Sequence, residues 1–206
     1  MTRRRVLRRK HIASQKLDSE ARKYIPLFGT WLVEMALKLD WYQPPSSRRW
    51  PDIFNDSDFC AMTPIDDSED EDDSDDKPKR ITAARCRKLL MNQQVQLHEM
   101  KLQPNLPLFK NVDLLSELLD LTEADQAVLT FAAGLNLFPE FSGAISSNNE
   151  KTGSQSFCRL LAWLTGIKER EFLRSVSNDS PLITSGLVKV NRKFCDLESK
   201  VNIPAV

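Results

Sequence analysis

From Ile81 to Val176 apolar residues recur at helical spacing, and Ser180-Pro181-Leu182-Ile183-Thr184-Ser185-Gly186-Leu187-Val188-Lys189-Val190 closes that run. This closing stretch constrains the fold most, because it changes the period from helix to strand. Pro181 suits the first turn of a short helix, where its missing N–H costs nothing, and Gly186 suits the left-handed residue that ends one. Leu187–Val190 then reads as a strand. Asn191 and Arg192 are expected to turn the chain so that Lys193–Leu197 returns beside it.

Ahead of this end, five helices are expected. Ile81–Met100 places Ala84, Lys88 or Leu89, Met91, Val95 and Met100 near one stripe, and Pro104 and Pro107 follow its end. Asn111–Leu121 carries Val112, Leu115, Leu118 and Leu119, with Asn111 as its cap. Thr122 and Asp125 form a capping box for a third helix bearing Ala124, Val128, Phe131, Ala132 and Leu135, the expected centre of the core. After a loop around Pro139 and a polar run from Ser146 to Gly153, Ser154 caps a helix with Phe157, Leu160, Leu161 and Leu164, ended by Gly166. A helix over 168–177 follows, with Phe172, Leu173 and Val176 inward. Two short helices across a glycine turn are a helix-turn-helix arrangement. The fold class expected is therefore mainly α: a helical bundle with a winged-helix-like C-terminal part and one small β-hairpin.

The first half is organised differently. Residues 1–16 form a basic tail with Arg3, Arg4, Arg5, Arg8, Arg9 and Lys10, and are expected to be disordered. Residues 17–42 hold one amphipathic helix, from about Pro26 to Trp41, with Leu27, Trp31, Leu32, Met35, Ala36 and Leu39 at helical spacing. A helix of about 15 residues is marginal alone in water, so it must dock on the later domain, a second copy or a partner. Residues 43–79 pass from Pro44-Pro45-Ser46-Ser47 into a block from Asp66 to Asp76 that is almost entirely acidic, a disordered linker in which like charges repel. Residues 80–200 are the domain, and 201–206 a tail. Ser68 and Ser74 within the acidic block are candidate phosphate acceptors.

The 29 basic and 29 acidic residues balance, but they are segregated along the chain. Cys60, Cys86, Cys158 and Cys195 form no CxxC pair, and His11 and His98 lie far apart, so neither zinc nor a disulfide framework is indicated. No apolar run has the length of a signal peptide core or a membrane span. A soluble, cytoplasmic chain is expected.

Arg80-Ile81-Thr82-Ala83-Ala84-Arg85-Cys86-Arg87-Lys88-Leu89-Leu90, Leu106-Pro107-Leu108-Phe109-Lys110-Asn111-Val112-Asp113-Leu114-Leu115, Ser185-Gly186-Leu187-Val188 and Cys195-Asp196-Leu197-Glu198-Ser199-Lys200 resemble the N-terminal, non-motor region of large bacterial AAA-family ATPases. The resemblance spans about residues 80–200. It implies a regulatory or partner-recruiting domain that precedes a motor. The motor itself needs a GxxxxGK loop followed by Ser or Thr to surround phosphate and hold magnesium. Gly29, Gly134, Gly143, Gly153, Gly166 and Gly186 all fail that pattern, so no ATP hydrolysis is expected of this chain. No cofactor is expected in it; ATP and magnesium belong only to a motor supplied elsewhere. The final Val201-Asn202-Ile203-Pro204-Ala205-Val206 fits an excised portion and a free-standing relative equally.

The function expected is contact with a protein partner or an AAA-type motor, with oligomerisation through the motor and no membrane. Candidate contact residues are Trp41 and Trp50 as exposed anchors, Lys168, Arg170 and Arg174 on the 168–177 helix, and Lys189, Arg192 and Lys193 on the wing, 187–197. The alternative is a DNA-binding regulator that sets that helix in the major groove and the wing on phosphate. Residues 80–206 carry about 15 basic and 13 acidic side chains, and Glu169 and Glu171 interrupt the basic helix, which opposes that alternative. His98, beside Glu99 with no nucleophile placed near it, reads as a surface residue.

Overall fold

The computed structural model describes residues 21–41, 82–146, 151–193 and 195–204. Trp50, Cys60, Ser68, Ser74, the basic tail and the acidic block lie outside the described residues. The architecture is mainly helical. A 3-10 turn, Ala21–Tyr24, leads into α1 (Ile25–Lys38); α2 (Ala83–Glu99), α3 (Pro107–Leu119), α4 (Glu123–Leu137), α5 (Pro139–Ser146), α6 (Ser154–Thr165), α7 (Glu169–Ser175) and α8 (Pro181–Thr184) follow. Among the described residues no helix is long and apolar enough to cross a membrane.

α4 is the central helix. Thr122 and Asp125 close a full capping box at its start, fixing two of the amides that helix geometry leaves open. Ala124, Val128, Phe131, Ala132 and Leu135 are buried, as are Leu129 and Ala133, so α4 is covered on more than one face. α3, α5, α6 and α7 pack around it.

α1 docks on the later helices and completes their core. Phe28, Leu32 and Met35 have no exposed surface, and Trp31 is buried. Phe28 meets Phe138 and Phe141 at ring-centroid separations of 4.9 and 5.2 Å, and Trp31 meets Phe131 at 5.9 Å. The Tyr24 hydroxyl accepts a hydrogen bond from the Leu108 amide at 3.1 Å, tying the start of α1 to the first turn of α3. Trp41 is buried too, with its amide donating to the Ala36 carbonyl at 3.0 Å, so it is a packing residue and not an exposed anchor.

Several expectations about faces and boundaries are corrected. α2 buries Cys86, Leu90, Gln93 and Leu97 against α1, whereas Met91 and Val95 are exposed. Both sets recur at helical spacing, and the docking of α1 selects between them. α3 begins at Pro107, not Asn111, because a proline without an N–H fits the first helical position. Leu118 on α3 is exposed. The expected loop at Pro139 is α5, whose Phe141 and Ile145 are buried. The N-cap of α6 is Gly153, with no side-chain cap, and not Ser154, which is its first helical residue.

The strands also pair differently from the expected hairpin. β2 (Lys189–Val190) is antiparallel to β4 (Val201–Asn202), with Val190 opposite Val201; β3 (Cys195–Asp196) is antiparallel to β1 (Lys151–Thr152). A two-residue hairpin needs positive φ at its turn, and Arg192 is not a residue that adopts it. Instead the Asn191 amide donates to the Lys200 carbonyl at 2.9 Å, which places Val201 in the core and makes the expected tail part of the fold.

Candidate interaction surface

The α6–α7 junction is built as a tight turn. Gly166 has φ +76, the left-handed value for which glycine carries no Cβ penalty, and its amide caps α6 on the Ala162 carbonyl. α7 then buries Phe172, followed by buried Ser175 and Val176, while Leu173 is exposed, contrary to its expected inward face. Lys168 precedes α7 as its N-cap, and Arg170 and Arg174 lie on its solvent side.

Two of the basic candidates on this side, Arg170 and Arg192, have local partners, and so does Arg159 beside them. Arg159 of α6 holds Glu169 at 3.3 Å, and Arg170 lies 4.0 Å from Glu171. Arg192 donates to the Asn178 side chain and, at 3.5 Å, to the Val176 carbonyl, so it fastens the β2–β3 connection to the segment after α7. Lys189 and Lys193 are exposed, and the Lys193 amide donates to the Asn191 side chain at 3.1 Å. The structure thus sets Lys168, Arg170 and Arg174 on and just before α7, interleaved with Glu169 and Glu171, and Lys189, Arg192 and Lys193 on the stretch that Arg192 ties to the segment after α7. It does not add Trp41 to that face.

Beneath α7 lies a feature that the sequence reading missed. A cavity of about 420 Å³ opens between the start of α4 and the segment joining α7 to α8, lined among others by Asp125, Glu171, Arg174, Ser177 and Asp179. Asp125 is 2% exposed. Its Oδ2 accepts from the Thr122 amide at 2.9 Å and from the Thr122 hydroxyl at 2.7 Å, while its buried Oδ1 has no hydrogen-bond partner among the described residues. Ser175 and Ser180, also on the lining, spend their hydroxyls on backbone carbonyls, Ser175 on Glu171 and Ser180 on Ser175.

Other ionisable groups are placed by packing. Burial pushes the Cys158 thiol up to about 11, with Glu169 adding to the rise and Lys200 opposing it. Lys200 is itself buried and donates from Nζ to the Lys193 carbonyl at 3.0 Å. Burial also raises the Glu34 carboxyl, against the opposing effect of His98, which lies 3.8 Å away. His98 is exposed, as a surface residue should be. Among the described residues no group of three or more His, Cys, Asp or Glu side chains is arranged to hold a metal ion. No protein family, curated protein or solved structure matches the chain.

Proposed function

We propose that this chain is a non-catalytic regulatory or partner-recruiting module that works beside an AAA-type ATPase through protein–protein contacts. The association with the ATPase rests on the sequence resemblance over residues 80–200. The contact mode rests on one observation: three of the cations around α7 already have neighbours, Arg159 at Glu169, Arg170 at Glu171 and Arg192 at the Asn178 side chain and the Val176 carbonyl. A surface that gathers phosphates needs cations free of such neighbours, because each carboxylate offsets the field that attracts the nucleic-acid backbone. A mixed-charge face suits a protein surface of complementary pattern, where charges set register and partner choice.

The alternative, a winged-helix DNA-binding regulator using the 168–177 helix and the 187–197 wing, retains Lys168, Arg174, Lys189 and Lys193 as exposed cations. The two readings separate in a salt titration with duplex DNA. DNA binding that appears at low salt, weakens steeply as salt rises, and falls further when Lys168, Arg174, Lys189 and Lys193 are neutralised together replaces the protein-contact reading. No DNA binding at low salt is the outcome expected.

A further inference from the structure

The cavity under α7 joins a buried acceptor to a surplus of negative charge. Three carboxylates line it, Asp125, Glu171 and Asp179, against one guanidinium, Arg174. Asp125 is the decisive member. Its Oδ2 is committed to the capping box, and Oδ1 is buried with no partner among the described residues. A buried carboxylate oxygen left open carries its desolvation cost uncompensated, and a charged donor reaching it recovers that cost. The volume, about 420 Å³, lies in the range of sites that hold a small ligand or one long side chain.

We infer that this cavity receives an arginine side chain presented by a partner protein, its guanidinium donating to Asp125 Oδ1 with Glu171 and Asp179 supplying the surrounding negative field. A guanidinium suits the site better than an ammonium, because its planar fork can meet a fixed carboxylate while its remaining N–H groups reach further acceptors. The Ser175 hydroxyl already donates to the Glu171 carbonyl, and the Ser180 hydroxyl donates to the Ser175 carbonyl and accepts from the Ile183 amide as the cap of α8, so neither hydroxyl has a proton to compete with the guest for the carboxylates. Arg174 lines the same space and opposes a second cation, which sets the affinity for the guest below its unopposed value. The inference deepens the protein-contact reading by naming the group that the surface recognises, and it rests on that reading.

The test uses the full chain, titrated with the blocked peptide acetyl-Gly-Gly-Arg-Gly-Gly-amide and with its citrulline counterpart, which keeps the shape and removes the charge. Binding is followed by amide chemical shifts and calorimetry. Saturable arginine-peptide binding is expected, weaker by about tenfold or more with citrulline and by a similar factor in Asp125→Asn. Asn keeps an oxygen for Thr122 and replaces the open acceptor with a donor, so the cap survives. Should Asp125→Asn fail to melt cooperatively, Glu171→Gln and Asp179→Asn carry the same reading, each weakening the arginine peptide by a few-fold. Arg174→Ala is expected to tighten binding; weaker binding in that variant overturns the inference. Equal binding of both peptides, no binding up to about 10 mM, or inorganic phosphate displacing the arginine peptide from the same resonances also overturns it. Loss of the arginine site with no DNA binding removes only the guest and leaves the protein-contact reading, whereas salt-sensitive DNA binding removes that reading whatever the peptides do.

Discussion

Gly134 illustrates how a single residue is read differently once its neighbours are known. Within α4 it looks like a weak point, because glycine in a helix interior is less favourable than alanine by about 1 kcal/mol. In the structure it is a point where the Phe28 ring of α1 leaves no room for a Cβ. A Cβ there would overlap Cε1 of Phe28 and sit 2.9 Å from Cδ1, and Phe28 is fully buried. Gly134→Ala is therefore expected to destabilise by about 1–3 kcal/mol in a denaturant titration, against the sign that helix propensity gives. Glu34 supplies a pH dependence at the same scale. Its carboxyl is raised by burial, so it binds a proton more tightly in the folded chain than in the unfolded one. Such a group lowers stability increasingly as pH rises from the ordinary carboxylate range through its folded value, and has no effect below that range. Glu34→Gln should raise the melting temperature at pH 7 and leave it unchanged near about pH 3. An equal rise at both pH values would mean that packing, and not ionisation, is responsible. Cys158, fully buried with its thiol pushed up to about 11, is neutral at pH 8 and should resist iodoacetamide until the chain unfolds.

At the scale of elements, α1 is the one that decides which faces of the others are inside. Its amphipathic pattern and length were legible in the sequence, and so was its need for a partner surface, since a helix so short does not stand alone in water. What the sequence did not carry was the surface it would choose. That choice determines why α2 hides Cys86, Leu90 and Leu97 and exposes Met91 and Val95, although both sets satisfy the helical period. Local signals served better where the chemistry is local. The Thr122–Asp125 box, the end of α6 at Gly166, the left-handed Gly186 and Pro181 in the first turn of α8 all appear as read, because each depends on residues within one turn. The cavity was illegible for the opposite reason. Asp125 could be assigned to the cap from its spacing, but it lines a cavity only because α7 and the segment before α8 pack over the start of α4. A chain beginning after Trp41 leaves Phe131, Phe138 and Phe141 without the Phe28 and Trp31 rings, and is expected to lose its cooperative thermal transition. The milder Phe28→Ala should cost about 3–5 kcal/mol while keeping the transition.

For the molecule as a whole, the controlling fact is that chain segments distant in sequence close one core. α1 and β4 lie near opposite ends of the described chain, and both pack against α4 or its immediate neighbours. The closing of β4 on β2 depends on Val201, which is 1% exposed, while its neighbour Asn202 is exposed and contributes backbone pairing alone. The two positions therefore separate core burial from strand pairing. Val201→Ala removes buried apolar surface and leaves the ladder intact, so it should cost about 2 kcal/mol. Asn202→Ala preserves both and should fall within about 0.5 kcal/mol of the unchanged chain. If the segment were an appendage and not part of the core, neither substitution would move the denaturant midpoint, and a chain ending at Lys200 would unfold like the full one. With β4 in the core, the shortened chain must unfold at lower denaturant. It must also lose more than Val201→Ala does, because it forfeits the pairing of β2 together with the buried side chain.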